Sequence, residues 1–221
     1  MGVTALVGRN GAGKSTFMRV VLGLMPLRSG HIELLGRNPG DRREREWLHR
    51  QVGYLPQDFG FIPSFTVAEY VEYSAWLKEV PKPARRQAVA DALAHVGLAD
   101  EHSKKMGRLS GGMRRRAGIA AASVHDPSFL VLDEPTTGLD PEQRVRFREL
   151  VRSIAKDRSV LLSSHLVEDV RALAEVILVL DGGELRFIGD VAALEARALP
   201  GAAGDSNLER GYISVISATG K

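Results

Sequence analysis

The stretch Gly8-Arg9-Asn10-Gly11-Ala12-Gly13-Lys14-Ser15-Thr16 constrains this chain more than any other. It has the form Gly-x-x-x-x-Gly-Lys-Ser. The apolar run Val3–Val7 precedes it, and the helix-like Phe17–Leu22 follows. Strand, glycine loop and helix in that order make a phosphate-binding loop. Its glycines let backbone N–H groups wrap around phosphate oxygens, and the helix start offers further N–H groups and a positive dipole end. Lys14 adds a point charge suited to β- and γ-phosphates, and Ser15 a hydroxyl suited to Mg²⁺.

Such a loop needs a sheet to carry it, and apolar runs alternate with helical patterns at both ends of the chain. Strands are expected at Val3–Val7, Ile32–Leu35, Val52–Leu55, Phe129–Leu132, Val160–Ser163, Val176–Leu180 and Leu185–Ile188. Phe129–Leu132 is apolar throughout, as in a strand buried on both faces. Between Phe59 and Leu109 the pattern turns helical, with amphipathic segments Val67–Leu77 and Pro83–Val96 separated at Pro81-Lys82-Pro83. The expected fold class is α/β: a P-loop NTPase core with a mostly parallel sheet, plus an inserted α-helical subdomain. The core is expected over 1–58 and 110–198 and the helical subdomain over 59–109. A linker and short C-terminal helix, Leu208–Ser217, complete 199–221.

A length of 221 residues suits one domain with a substantial core. Without cysteine there is no disulfide, zinc–thiolate site or thiol nucleophile. No apolar run reaches the roughly 18 residues that cross a bilayer. Neither a signal peptide nor a lipid-anchor motif is expected at the N-terminus. The formal net charge of +3 selects no class of partner. The basic cluster Arg42-Arg43-Glu44-Arg45 reads as solvated surface, and Arg114-Arg115-Arg116 either supports phosphate binding after Gly111-Gly112 or, as the preferred reading, faces water. No aromatic residues interleave with them to stack on bases, so no nucleic acid is expected.

Two further segments carry chemistry. Phe129–Leu132 ends in Asp133-Glu134, and function collects at the carboxyl ends of parallel strands. There Asp133 can hold Mg²⁺, and Glu134 can polarise a water that attacks a γ-phosphate. Leu109-Ser110-Gly111-Gly112-Met113 precedes a helical run and forms a second anion-ready helix start, or simply a Ser-Gly-Gly cap. One phosphate loop suffices for one triphosphate. The economical explanation for a second is the nucleotide of a partner molecule.

Taken together, Gly8–Thr16, Gln57, Leu109–Met113, Phe129–Glu134, Gly138-Leu139-Asp140 and Ser164-His165 resemble the nucleotide-binding domain of ATP-binding cassette (ABC) transporters. The resemblance spans nearly the whole chain, and Leu-Ser-Gly-Gly is its most specific part. It implies ATP and Mg²⁺ as ligands. Gln57 matches a glutamine that touches Mg²⁺ and the attacking water and senses the membrane partner. Glu134 matches the general base and His165 a histidine that contacts the γ-phosphate. Asp140 matches an aspartate at the dimer contact, and it also reads as an N-cap before Pro141. It further implies a head-to-tail pair of cassettes, identical or related, with each ATP between one copy's glycine loop and the other's Ser110-Gly111-Gly112. It also implies a membrane-spanning permease as partner, with this chain peripheral at the cytoplasmic face of the membrane.

Leu55–Phe59, Gly112–Arg115 and Ser164–Asp169 resemble bacterial ABC-2-type exporter ATPases more than solute importers. Family members carry some tens of residues before the glycine loop, including an aromatic side chain that stacks on adenine. Here Met1 and Gly2 precede the strand, no such residue is assigned, and the chain is expected to be N-terminally short. Two other functions stay open at this point: a soluble ABC ATPase without transport, and a nucleotide-binding module with impaired hydrolysis.

Overall fold

The computed structural model describes residues 2–218, so Met1 and the last three residues of the expected C-terminal segment lie outside the described residues. Six strands form one sheet: β1 (Gly2–Val7), β2 (Val52–Leu55), β3 (Phe129–Leu132), β4 (Ser159–Ser164), β5 (Val176–Asp181) and β6 (Glu184–Gly189). Their order is β2-β3-β4-β1-β5-β6. The first five run parallel, and β6 returns antiparallel on β5.

Helices occupy both faces: α1 (Lys14–Val21), α2 (Arg42–Gln51), α3 (Val67–Leu77), α4 (Lys82–His95), α5 (Gly111–Ser123), α6 (Pro141–Ile154), α7 (Val167–Leu173), α8 (Val191–Glu195) and α9 (Asn207–Ser217). Neighbouring strand residues point to opposite faces. Ala5, Leu130 and Leu162 therefore enter one core with α3–α7, while Leu6, Val131 and Leu161 pack on Met18 and Leu22 beneath the other face. Both faces are dry, which is why these strands read as continuous apolar runs. Among the described residues, no helix is long and apolar enough to cross a membrane.

The helix ends follow local rules. Thr66 and Glu69 form a capping box on α3, Asp41 caps α2 and Asp140 caps α6. Two expectations need correction. Ile32–Leu35 is not a strand. Its ladder contact is Leu34 with Arg37 across the turn Leu35-Gly36, where both residues have positive φ (52° and 73°). That is the two-residue turn of a miniature hairpin, and no neighbouring strand extends it. Arg42–Arg45 is not wholly solvated surface: Arg42 and Arg43 are exposed, but Glu44 and Arg45 are half-buried where the run opens α2, a helix so polar that Leu48 is its one buried residue.

A cluster of bases gathers where α2 meets β2. Lys78 Nζ donates to the carbonyls of Val52 (3.0 Å) and His49, and His125 Nε2 lies 3.3 Å from the same Val52 oxygen. Burial, with Lys78 beside it, pushes the His125 imidazole down to about 4 from 6.5. The neutral ring belongs to the folded state. The unfolded chain therefore binds the extra proton between about pH 6.5 and 4, and stability falls as pH falls through that window. Each pKa unit corresponds to about 1.4 kcal/mol, so up to about 3 kcal/mol is at stake. His49 is depressed by burial and adds the same sign. Denaturant titrations from pH 7 to 4 are expected to show this loss, and His125→Gln to flatten it. An equal slope in the variant would refute the assignment.

Candidate functional site

The register decides which loops meet. Val7 pairs with Ser164 and Leu132 with Leu162, so the segments after β1, β3 and β4 leave the sheet side by side at its carboxyl edge. After β1 comes Gly8-Arg9-Asn10-Gly11-Ala12-Gly13. A Cβ at Gly8 would meet the Leu180 carbonyl oxygen at 2.4 Å, so only glycine lets the loop leave the sheet here. Gly11 and Gly13 take positive φ (82° and 99°), and a Cβ at Gly11 would face open space. Gly13 precedes α1 without any side-chain cap. The first N–H groups of that helix are thus left for an anion. Arg9, Asn10 and Thr16 are exposed, Ala12 is buried, and Ser15 is half-buried in the first turn of α1.

Lys14 is only 6 % exposed. Its Nζ donates to the carbonyls of Gly8 (2.8 Å) and Arg9 (3.2 Å) and pairs with Glu134 Oε1 at 3.0 Å. Glu134, 4 % exposed, places its other oxygen 2.7 Å from His165 Nδ1. Glu134 thus bridges the glycine loop and the segment after β4. Its backbone is left-handed (φ 45°), a conformation that costs about 1–3 kcal/mol in a non-glycine residue and collects at functional sites.

Ser163 was not singled out from sequence, yet it organises this corner. Its hydroxyl donates to Asp133 Oδ1 at 2.7 Å and accepts the Glu134 N–H at 2.7 Å. One serine therefore orients both carboxylate residues. Below them Thr136 Oγ1 donates to Asp169 Oδ2 (2.8 Å), and Arg148 stands 3.6 Å from that carboxylate's other oxygen. This set, buried at Thr136 and Asp169 and half-buried at Arg148, anchors the turn after Glu134 to α7 and α6.

Gln57, Gly111 and Gly138 line a separate cleft of about 360 Å³ with Phe59, Phe61 and Arg114. Gln57, Ser110, Gly111 and Asp140 are exposed, and Gly112 is buried. Ser110 Oγ accepts the Met113 N–H (3.3 Å), and Asp140 Oδ1 accepts the Gln143 N–H (2.8 Å). Both are helix caps within this chain. Among the described residues, neither makes a hydrogen bond or ion pair with the glycine loop.

The basic run on α5 corrects the solvent expectation. Arg115 is 8 % exposed and donates to the carbonyls of Gln57 and Glu134; Arg114 lies 4.6 Å from the Phe61 ring; Arg116 donates to Val96 and Gly97. Every residue from Ala117 to Ala122 is buried as well, so α5 is enclosed on nearly all sides, and the small, apolar run after the arginines was the available signal.

The donor set fits Mg²⁺ in the way a nucleotide site needs. Ser15, Asp133 and Gln57 offer hard oxygens, and no group of three or more His, Asp or Glu able to hold a metal alone exists among the described residues. A cation sharing its shell between phosphate oxygens and one or two protein ligands suits such a site.

Comparisons with known proteins agree with this fold. The sequence profile described as "ABC transporter" matches residues 2–137. The uncharacterized ABC transporter ATP-binding protein YxlF of Bacillus subtilis is 35% identical over 191 residues, 86% of this chain and 62% of that protein. The bacitracin transport ATP-binding protein BcrA of Bacillus licheniformis is 36% identical over 185 residues, 83% of this chain and 59% of that protein. The chain spans 52% to 62% of the length of the first curated relatives it matches. A solved ATP-binding subunit of an ABC transporter superposes with TM-score 0.80 at 26% identity, covering 97% of this chain and 88% of that one. The cbiO1 protein of Clostridium perfringens, part of the transporter complex cbiONQ, superposes with TM-score 0.81 at 28% identity, over 88% of this chain and 79% of that one. With that profile across more than half its length, the chain belongs to the ABC transporter family.

Proposed function

We propose that this chain binds and hydrolyses ATP in a pair of cassettes and drives a separate membrane-spanning partner, as an exporter subunit at the cytoplasmic face of the membrane. The observation that carries the proposal is the meeting of Lys14, Glu134 and His165 beside an uncapped glycine loop, while Ser110 and Gly111 stand exposed on another face. A triphosphate on the glycine loop gives Lys14 new anionic partners and frees Glu134 from its cation. Glu134 then takes the proton of a water that attacks the γ-phosphorus, and the bond to the β–γ bridging oxygen breaks to leave ADP and phosphate. His165, hydrogen-bonded to Glu134, orients the base and faces the γ-phosphate. Ser15, Asp133 and Gln57 are the residues suited to hold Mg²⁺, which when bound neutralises charge on the phosphates. Ser110, Gly111 and Gly112 complete the site of a second copy, with Asp140 at the contact.

For the membrane partner, a largely apolar cleft of about 570 Å³ lies between α2, α3 and α5, with Leu48, Phe59, Tyr70 and Leu77 on its walls. Tyr73 and Trp76 stand exposed nearby on α3. Exposed apolar surface beside Gln57 suits a docking helix. Named relatives act in bacitracin transport and Nod factor export, which supports the export direction.

The test is phosphate release as a function of protein concentration. The rate per molecule is expected to rise with concentration and then level off as pairs form. A dilute protein that sediments as a single copy and hydrolyses at the full rate per molecule would overturn the shared site.

A further inference from the structure

We infer that Arg115 is a positioning residue that locks Glu134 and the Gln57 loop to α5, the helix that presents Ser110. This rests on the proposed roles of Glu134 and Ser110.

The Arg115 guanidinium spans two loops with its two terminal nitrogens. Nη1 donates to the carbonyls of Gln57 (3.1 Å) and Pro56 (3.4 Å), and Nη2 donates to the carbonyl of Glu134 (3.2 Å). Phe59 stacks 5.6 Å from its centre. The charge is buried and meets three backbone oxygens rather than a carboxylate. Burial lowers its pKa, and the fields of Asp58, Asp133 and Glu134 work against that shift. A buried charge of this kind is a poor source of stability, because apolar side chains of similar volume serve as well or better. What the fork supplies is direction.

Glu134 is left-handed, so its backbone needs holding from both sides. Ser163 takes its N–H and Arg115 its carbonyl. The carboxylate between them is thereby aimed at Lys14 and His165. The same guanidinium fixes the backbone of Gln57. It also sits one turn into the helix capped by Ser110, so a nucleotide of the second copy seated on Ser110 bears on the base and on Gln57 through one rigid element. Lysine cannot replace it, since a single nitrogen does not reach both loops as a planar fork does.

The experiment is a double-mutant cycle between Arg115→Met and Glu134→Gln, with Arg115→Lys beside it, in the full-length protein. Single-turnover hydrolysis of radiolabelled ATP and binding of a fluorescent ATP analogue are the readouts. For Arg115→Met, kcat is expected to fall about tenfold or more while nucleotide affinity changes by less than about twofold. The double variant is expected to be no slower than Glu134→Gln, because Arg115 acts through that residue. Arg115→Lys retains the buried charge, and hence tests the same point if the methionine variant does not fold; its kcat is expected to fall about threefold or more, again at unchanged affinity. Wild-type kcat in Arg115→Lys, or losses that multiply in the double variant, would overturn the positioning role while leaving the catalytic assignment of Glu134 intact. A Glu134→Gln variant at the wild-type rate would overturn that assignment, and with it the inference.

Discussion

Glu134→Gln is expected to slow phosphate release by about 10²–10⁴-fold without loss of nucleotide binding. The amide keeps the size and shape of the carboxylate and cannot take a proton from water. Binding is spared because no contact with the phosphates depends on a negative charge at this position; the charge opposes them. In the resting protein Glu134 Oε1 holds Lys14 Nζ at 3.0 Å, and a γ-phosphate has to win that ammonium away. Removing the competitor tips the contest toward the nucleotide, so the dissociation constant is expected to stay level or fall. Phosphate release in a single turnover, together with displacement of a fluorescent nucleotide, separates the two effects. Release at the parent rate would take Glu134 out of the chemistry. Release and binding that fall together would mean that the amide has disturbed the loop instead.

The parts of this site that local chemistry dictates were legible in the sequence, and the parts set by packing were not. Gly8–Ser15 announces itself because backbone approach to phosphate requires glycine at fixed spacing. Asp133 and Glu134 do so because they end a strand apolar enough to be central, and Asp140 because a helix beginning Pro-Glu needs a cap. Ser163 left no trace: a serine inside Val160–Ser164 looks like any strand residue until the register places it beside Asp133. Arg115 hid inside a basic run that looks solvated, although that run opens a helix buried continuously from Ala117 to Ala122. Ile32–Leu35 misled for the opposite reason. Its residues favour a strand, but a strand exists only where a neighbour pairs with it, and Leu34 finds only Arg37 across a tight turn. Ser110 forms a third class: its motif was visible, yet its side chain lies exposed, because the nucleotide it is proposed to meet belongs to a second copy.

Lys14→Met is expected to weaken ATP binding by about 10²–10⁴-fold and to destabilise the nucleotide-free protein at the same time. The binding loss follows from two charge-assisted hydrogen bonds to the β- and γ-phosphates, each contributing about 1.5–3 kcal/mol. The stability loss has a separate origin. Glu134 is 4 % exposed, its cationic partner is Lys14, and His165 Nδ1 lies within hydrogen-bond distance of its other oxygen. Breaking a buried ion pair from one side costs about 3–5 kcal/mol, because the remaining charge stays out of water. The His165 contact to the other carboxylate oxygen remains in the variant, which places the expected cost near the lower end, about 3 kcal/mol. For a chain of this length that corresponds to a melting temperature lower by about 6–12 °C. Glu134→Gln in the same chain is expected to recover most of it, since the orphaned charge is then gone, while ATP binding stays weak. Thermal unfolding of the two single variants and the double variant, each without nucleotide, checks the coupling. If Lys14→Met melts with the parent protein, the contact between Lys14 and Glu134 contributes nothing to the resting state, and the competition between carboxylate and phosphate for one ammonium group is not how this site is set.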